Sequence, residues 1–548
     1  MSTVSFVSLG GIGDVTKNIY VYETEKDLIV VDCGVGFPDD NMLGVDLVLP
    51  DISYLRKQKN KLRAIFITHA HEDHIGALPY LWPDLGCPIY GTKFAAHFIQ
   101  NKFRDFSLHP KINIVENETI STGDFKVSYV HVNHSVPDSA NLVIETPLGI
   151  FYHGSDFKYD WTPLDGKYTE VGKITDASKK GVLCLLSDCL GSEREGYTLS
   201  ERVVEQQLEK EIDNCSGKFI VTAHSSDIYR WQMVINVAKK TQRKIALLGR
   251  SVEQAIDIAH RLHYLNLPEE MLIDQREIKK YPGRSVCILA AGSQGQPESA
   301  LTRIANEDHT HVRIEEGDLV VFSADPIPGN ENMVHGVIDQ LTKLGATVSY
   351  SEITDQLHVS GHASQEELYM LMGLTRPKYF IPIGGTFRQM KKYSEMTEKL
   401  GYHKNKTFLL ETGQKVIFSQ NGASLGEKID LQNVLIDGLG VGDVGHIVLR
   451  DRQQLAKDGV VVVIIPVAVS SGKLSGETDI ISRGFVYMKD SEILMKDAKR
   501  VVQKILDKNH SKVFDWQFLR KKIEKSLSEF FYKETARRPM VLPMIVEV

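Results

Sequence analysis

The sequence has no apolar run long enough to cross a bilayer. The longest, Val460 to Val469, is interrupted by Pro466 and covers about half of the roughly 20 residues a spanning helix needs. The N-terminus, MSTVSFVSLGGIGD, lacks the basic stretch and long apolar core of a signal peptide, so a cytoplasmic chain with no membrane partner is expected. No C-x-x-C pair occurs among the six cysteines, Cys33, Cys87, Cys184, Cys189, Cys215 and Cys287. Sitting mostly in apolar segments, they read as reduced, buried thiols rather than a disulfide framework or a sulfur metal site. A positive excess is missing too. With 64 Lys and Arg against 71 Asp and Glu the net charge is -7, so no global field attracts an anion. From Lys496 onward, however, 13 basic residues face 7 acidic ones, a local +6 that leaves -13 elsewhere. That region reads as a solvated helical face in preference to a nucleic-acid patch. Internal repeats and low-complexity tracts are absent. What is present is globular material, 42% hydrophobic and 25% charged over 548 residues, enough for about two to four domains.

The chain opens with short apolar stretches, SFVSLGG, NIYVYE, DLIVVDCG and RAIFIT, punctuated by Gly and Asp, which predict an antiparallel β-rich start. Thr198 and Glu201 have capping-box spacing ahead of Val203, Val204, Leu208 and Ile212, predicting a helix that stops by Gly217. Then KFIVTA, KIALLG, VCILAAG, LVVFSA and ATVSY alternate with helical patterns at Arg230 to Lys240 and Ser251 to Leu265. This is the pattern of a parallel sheet covered by helices. Near Asp355 chemistry-bearing residues return in LHVSGHAS and FIPIGGTFR, so the α/β block reads as an insertion. After Gly438, Gly440, Gly442 and Gly445 a third unit follows. It holds the strand VVVIIPVAV, helices near Ser491 to Lys508 and Asp515 to Tyr532, and the strand VLPMIVEV. SRGFVYM, around Gly484, has only half of an RNA-recognition strand pattern and reads as a core strand.

The decisive segment is RAIFITHAHEDHIGAL, where His69, His71, Asp73 and His74 form H-x-H-x-D-H directly after an apolar strand. In a chain with 19 histidines, chance yields this spacing in about one sequence in a thousand. Three imidazoles and a carboxylate within six residues repel protons and cost desolvation unless a cation binds them. Neutral imidazole and carboxylate suit Zn²⁺ or Mn²⁺, with Asp73 and His74 free to face a different ion from His69 and His71. A pair of cations about 3.5 to 4 Å apart needs further ligands, including a bridging carboxylate. His134, in HVNHSVPDS, and Asp156, in FYHGSDFKYD, each follow a strand-like run and are the candidates.

These residues resemble the metallo-β-lactamase fold in its β-CASP branch and, within it, ribonuclease J. The resemblance spans essentially the whole chain. It rests on GGIGDVTKNIYVYE, VVDCGVGFPDDNMLGVDLVLPDISYL, THAHEDHIGALPYL, HSVPDS, GSDFK, LLSDCLGSEREGYTLSE, GSQGQPESALTRIA, SADPIPGN, HVSGHASQEEL and ETARRPMVLPMIVEV, in that order. It implies an α/β chain in which an αββα metallo-β-lactamase sandwich (residues 1–200 and 353–428) receives a parallel α/β β-CASP insert (201–352). A linker (429–455) and a small C-terminal α+β domain (456–548) follow. It further implies that His69, His71 and His134 hold one metal and Asp73 and His74 a second, with Asp156 bridging. Asp73 and Asp188 would act in catalysis, Asp188 orienting the site, and His362 would assist the leaving group. Asp32 would orient ligands through hydrogen bonds.

Two departures stand out. Where the family usually reads P-V-H-G-E-Y-R, with the histidine on the second metal, this chain has Pro382, Ile383, Gly384, Gly385, Thr386, Phe387 and Arg388, so the second site is expected to be weaker. In TAHSSDIYR, His224, Asp227 and Tyr229 replace the family's Phe, Asn and His in a segment that lines the nucleotide channel. The small-residue turn Gly361, His362, Ala363, Ser364 can aim N–H groups and a hydroxyl at phosphate, and Ser226 and Arg250 are placed to meet the same nucleotide. The resemblance implies a 5′-to-3′ exonuclease with endonuclease ability acting on RNA that carries a 5′ monophosphate, in a dimer or tetramer. Two alternatives compete: a weakened RNA-binding subunit, suggested by Gly384, and a small-molecule hydrolase of the same fold, which the inserted block argues against.

Overall fold

The computed structural model describes residues 3–39, 41–327, 329–438, 440–442, 444–468, 474–485, 491–507 and 516–548. By contact the chain divides into two units, Met1–Phe37 with Val48–Val434, and Pro38–Leu47 with Leu435–Val548.

In the first unit, strands such as Leu28–Val31 (LIVV) and Phe125–His131 (FKVSYVH) bury enough β-branched and aromatic side chains to form two facing sheets, of eight and six strands. Phe6, Tyr22 and Phe66 from one sheet and Phe125, Leu142 and Phe151 from the other share one apolar core. Helices including Leu78–Leu85 and Lys93–Asp105 lie on one side, and Val171–Lys180, Gln365–Thr375 and Phe387–Lys399 on the other, completing an αββα sandwich. The expected antiparallel start holds for Val4–Gly10, Ile19–Glu23 and Leu28–Val31. The next strand, Leu62–Ile67, instead pairs in parallel with Leu28–Val31, because about thirty residues separate them and permit a crossover.

The block between Phe219 and Ser349 forms a five-stranded sheet, ordered Lys244–Leu248, Val286–Ala290, Phe219–Thr222, Leu319–Phe322, Thr347–Ser349, with every pairing parallel. Its helices run Ile228–Lys240 and Arg250–Arg261, the second ending earlier than its apolar pattern suggested, just before His263 turns to φ +66°. All six cysteines are unpaired and buried, and no described helix is long and apolar enough to cross a membrane.

One local expectation fails. Thr198 and Glu201 do not cap the helix Arg202–Asp213, which begins without a side-chain cap. The buried Glu201 carboxylate accepts instead from Lys158 Nζ at 2.8 Å and Arg230 Nη2 at 2.9 Å, and the Thr198 hydroxyl donates to the His362 carbonyl. A cap contributes about 1 kcal/mol, whereas an uncompensated buried charge costs about 3–5 kcal/mol, so the ion network wins. Arg230 also donates to Ser323 and to the Leu357 carbonyl, joining the inserted block to the sandwich.

In the second unit Val460–Val467 pairs antiparallel with Asp479–Arg483 and parallel with Met540–Glu547. Val461, Val463, Ile465 and Val467 face Val502, Leu506, Leu519, Ile523 and Phe531 of the helices Ser491–Asp507 and Trp516–Thr535. Leu542, Met544, Val546 and Ile481 remain exposed. Val469, Lys508, Asp515 and the Val486–Met488 part of SRGFVYM lie outside the described residues.

Arg230→Met, which strands Glu201 without its guanidinium, is expected to destabilise the first unit by about 3–5 kcal/mol. A lowered urea midpoint checks this; an unchanged midpoint would show that Lys158 alone suffices.

Candidate metal centre

Sequence-distant side chains converge at one edge of the sandwich because each follows the end of a strand. Leu62–Ile67 leads into Thr68, His69 and His71, and the short helix Glu72–Ile75 carries Asp73 and His74. Phe125–His131 leads to His134, Gly149–Gly154 to Asp156, and Val182–Asp188 ends on Asp188.

His71 Nδ1 lies 3.1 Å from both His69 Nε2 and His134 Nε2. Asp156 Oδ2 lies 3.6 Å from His69 Nε2 and 3.7 Å from His134 Nε2. A tetrahedral cation with ligands at about 2.0–2.1 Å has ligand–ligand edges of about 3.3 Å, and these four atoms, all within 4.8 Å of one another, could hold one ion. Asp156 Oδ2 is also 3.5 Å from His74 Nε2, which lies 3.6 Å from Asp73 Oδ2; these three side chains form a second group able to hold an ion. A third such group joins Asp156, Asp188 and His362.

Outer hydrogen bonds fix which nitrogen each ring presents. His74 Nδ1 donates to Asp32 Oδ2 at 2.7 Å, and His134 Nδ1 to the Gly361 carbonyl at 2.8 Å. Thr68 donates its hydroxyl to Asp32 and accepts from His69 Nδ1 at 3.0 Å; Ser135 Oγ meets His71 Nε2 at 3.3 Å. The inward nitrogens of His69, His71 and His134 thereby keep their lone pairs for the centre. Asp32 is fully buried at φ +60°, a left-handed conformation that Asp tolerates, and it also accepts from the Thr68 N–H.

Burial, reinforced by neighbouring imidazoles, drives His69 and His71 well below their usual range and takes His134 down to about 4, so all three rings are neutral and able to serve as ligands. For His74 burial opposes the charge, but Asp156, Asp73 and Asp32 hold the imidazolium well above its usual range. Burial lifts Asp73 to about 6. Asp156 is penalised by burial yet kept well below the carboxylate range by His74 and His362. Neutral rings and carboxylates thus share one buried pocket, a donor set that a cation replacing the His74 proton would satisfy.

Gly384 ends beside Asp188, and a Cβ there would meet only Asp188 Oδ1, at 3.8 Å. Its φ of +63° disfavours a side chain. Asn18, which the sequence reading passed over, directs Nδ2 to His74 Nε2 at 3.1 Å and Asp73 Oδ2 at 3.3 Å, while Tyr20 donates to its Oδ1. An amide donor thus faces the second ligand group. Thr68 and Ser135 were also missed, although both adjoin residues singled out. His362 Nδ1 donates to Asp188 Oδ2 at 2.7 Å, and its Nε2 lies 3.8 Å from Asp156.

The Gly361 to Ser364 turn needs a correction. Ser364 caps the helix Gln365–Thr375 in a capping box with Glu367, its hydroxyl also meeting Thr198, so neither its N–H nor its Oγ is free for phosphate. The helix's demand for a cap outweighs the exposed role. The His362 N–H is taken by Ser360, leaving those of Gly361 and Ala363 without a partner among the described residues. Ser226 and Arg250 follow the strands Phe219–Thr222 and Lys244–Leu248, and neither makes a described contact with the cluster. His224 lies close enough to His71 to help suppress its charge.

Models of four families match: "Metallo-beta-lactamase superfamily" over residues 12–171, "Ribonuclease J, beta-CASP domain" over 216–341, "Zn-dependent metallo-hydrolase RNA specificity domain" over 345–408 and "Ribonuclease J C-terminal domain" over 447–548. The chain is 40% identical to ribonuclease J2 of Bacillus subtilis (strain 168) over 549 residues, covering 100% of this chain and 99% of that protein. It is 34% identical to ribonuclease J 2 of Staphylococcus aureus (strain NCTC 8325 / PS 47) over 550 residues, covering 100% and 98%. A solved protein of unknown function from Enterococcus faecalis V583 shares the fold, with TM-score 0.54 at 17% identity over 76% of this chain and 99% of that one.

Removing the central imidazole, His71→Ala, is expected to abolish tight metal binding at the three-histidine position, read by elemental analysis; full metal content would contradict that assignment. Gly384→His is expected to raise second-metal occupancy while costing about 1 kcal/mol through its left-handed backbone. An unchanged metal titration would show the place already filled.

Proposed function

Because the chain belongs to the ribonuclease J family, we propose that its converged histidines and aspartates form the catalytic centre of a metal-dependent ribonuclease that hydrolyses RNA phosphodiesters. The observation that carries this is the set His69, His71, His134 and Asp156, whose ligand atoms all lie within 4.8 Å of one another, with Asp73 and His74 alongside. His69, His71 and His134 would hold one cation, Asp73 and His74 a second, and Asp156 would serve both. Imidazole donors favour Zn²⁺ at the first position, and the carboxylate-rich second also suits Mn²⁺, weakened by Gly384 and by the Asn18 amide. When bound, a cation there lowers the pKa of water toward about 7 and offsets phosphate charge.

The protein's own groups do the rest. Asp188 holds His362 through Nδ1, so Nε2 faces the centre, placed to give a proton to the leaving 3′ oxygen. The Gly361 and Ala363 N–H groups take the phosphate, and Ser226 and Arg250 contact the same nucleotide from the inserted block. Arg194, donating to the His362 carbonyl, steadies that turn. The substrate is single-stranded RNA with a 5′ monophosphate, degraded 5′ to 3′ with endonucleolytic cuts as well. The sandwich would comprise residues 1–200 and 353–428, the β-CASP insert 201–352, and the C-terminal domain 456–548 after a linker at 429–455. The chain works in the cytoplasm, where its free thiols stay reduced. Its uncovered strand face at Leu542, Met544 and Val546 supports self-association. A weakened RNA-binding subunit is the competing reading, and it rests on Gly384.

Incubating 5′-monophosphorylated RNA with the metal-loaded chain is expected to release mononucleotides from the 5′ end, with EDTA abolishing cleavage. His362→Ala should lower kcat by about 10²–10⁴ without changing metal content. RNA left intact after long incubation would favour the binding subunit, and cleavage of a lactone with none of RNA a small-molecule hydrolase.

A further inference from the structure

The second ligand group is one member short. Asp73, His74 and Asp156 supply one atom each, and Gly384 has no side chain to add. Asn18, only 1% exposed and immediately before the strand Ile19–Glu23, closes on the gap. Its backbone is tied to the segment that carries the ligands. The Asn18 N–H donates to the Asp73 carbonyl at 2.9 Å, and the Asn18 carbonyl accepts from the Gly34 N–H at 3.0 Å. The end of its side chain then lies 3.1 Å from His74 Nε2 and 3.3 Å from Asp73 Oδ2. The members of the group are no closer to one another: His74 Nε2 is 3.6 Å from Asp73 Oδ2 and 3.5 Å from Asp156 Oδ2. Since a tetrahedral cation has ligand–ligand edges of about 3.3 Å, the Asn18 amide stands where a further ligand atom belongs.

Without a cation the amide presents its donor end. Nδ2 points at the two ligand atoms and at the Val15 carbonyl at 3.3 Å, while Oδ1 accepts from the Tyr20 hydroxyl at 2.7 Å. A half-turn about the last side-chain bond exchanges the two ends and leaves the shape of the residue unchanged. Tyr20 suits either state. Its hydroxyl also lies 3.1 Å from the Gly11 carbonyl, and one phenolic proton cannot serve that carbonyl and Oδ1 together. After the half-turn Nδ2 donates to the Tyr20 oxygen and the phenolic proton goes to Gly11, so both acceptors are satisfied. The cost falls on the Val15 carbonyl, which loses its Asn18 donor. Gly11, at φ +74°, has to be glycine here, because a Cβ would collide with both the Asn18 amide and the Tyr20 hydroxyl. The Gly11 carbonyl also accepts from the Gly384 N–H at 2.8 Å, so the backbone that lacks a ligand and the side chain beside it are held through one atom.

We propose that Asn18 is a ligand of the second cation in this chain, turning its amide so that Oδ1 completes the set begun by Asp73, His74 and Asp156. The inference rests on the two-cation reading above. The half-turn that the cation has to drive is what the amide costs that position. A neutral amide oxygen also hardens the donor set, which favours Mn²⁺ there, whereas the three-histidine position favours Zn²⁺.

The test is calorimetric titration with Mn²⁺ of the full chain carrying one equivalent of Zn²⁺, with no RNA present. Asn18→Leu, similar in shape but without a ligand atom, is expected to weaken the second cation about tenfold or more, with the first equivalent of Zn²⁺ retained as the sign that the pocket still forms. Asn18→Asp, which presents oxygen at both ends, is expected to tighten Mn²⁺ about tenfold. If the amide is only a donor in the cation's way, Asn18→Leu binds the second cation as well as the unaltered chain or better, and that result overturns the proposal. An unchanged affinity in Asn18→Asp does the same. Should Asn18→Leu fail to fold, the unaltered chain decides: crystals equilibrated with Mn²⁺ should show an Asn18 side-chain atom within about 2.5 Å of the second cation, and a separation beyond about 3 Å would overturn the assignment. A chain that takes one cation only, whatever residue replaces Asn18, sinks this inference and leaves the three-histidine position standing. Loss of the second cation in Asn18→Leu beside inert RNA upholds it and sinks only the nuclease reading.

Discussion

Five imidazoles and three carboxylates packed into one buried pocket set the terms for everything around them. Left alone they would trade protons, swivel and disperse, since each ring can present either nitrogen and each carboxylate loses its water. The protein prevents this from outside the pocket. Asp32, Thr68, Ser135, the Gly361 carbonyl and Asp188 each hold the outward nitrogen of one ring, so the inward nitrogens point to common centres before any cation arrives. Preorganisation of this kind turns a cluster of polar groups into a site with a defined ligand count.

The fold follows from the need to hold those outer partners. Asp32 lies just past a strand of one sheet, the histidine cluster just past its parallel neighbour, and His134, Asp156 and Asp188 at strand ends of the facing sheet. One shared apolar core between the sheets therefore fixes distances that no single segment could. The inserted block is tied to this edge by Glu201, Lys158 and Arg230, whose hydrogen bonds reach the Leu357 and Ser360 carbonyls on the approach to His362. Ligand placement and attachment of the insert are thereby mechanically linked.

Much of this was legible in the residues, for identifiable reasons. H-x-H-x-D-H is improbable and costly without a cation, and apolar runs ending in His134 or Asp156 mark strand ends, where sandwich sites lie. The parallel insert was visible from alternating strand and helix patterns. Side chains whose roles are set by tertiary neighbours were not legible. Asn18 and Thr68 look ordinary in sequence, and Glu201 has capping-box spacing but is claimed by two buried cations. Ser364 looks available to phosphate yet is consumed by its own helix. Gly384 reads as a lost ligand, and only its φ shows that the backbone also resists regaining one.

The central claim is that His69, His71, His134 and Asp156 grip one cation and share Asp156 with a second position. Anomalous diffraction from crystals equilibrated with Zn²⁺ and with Mn²⁺, recorded at each absorption edge, addresses it atom by atom. The account predicts a strong peak equidistant from the four ligand atoms and a weaker one beside Asp73 and His74. A map with no peak among the three histidines, or with its only strong peak elsewhere, would contradict it.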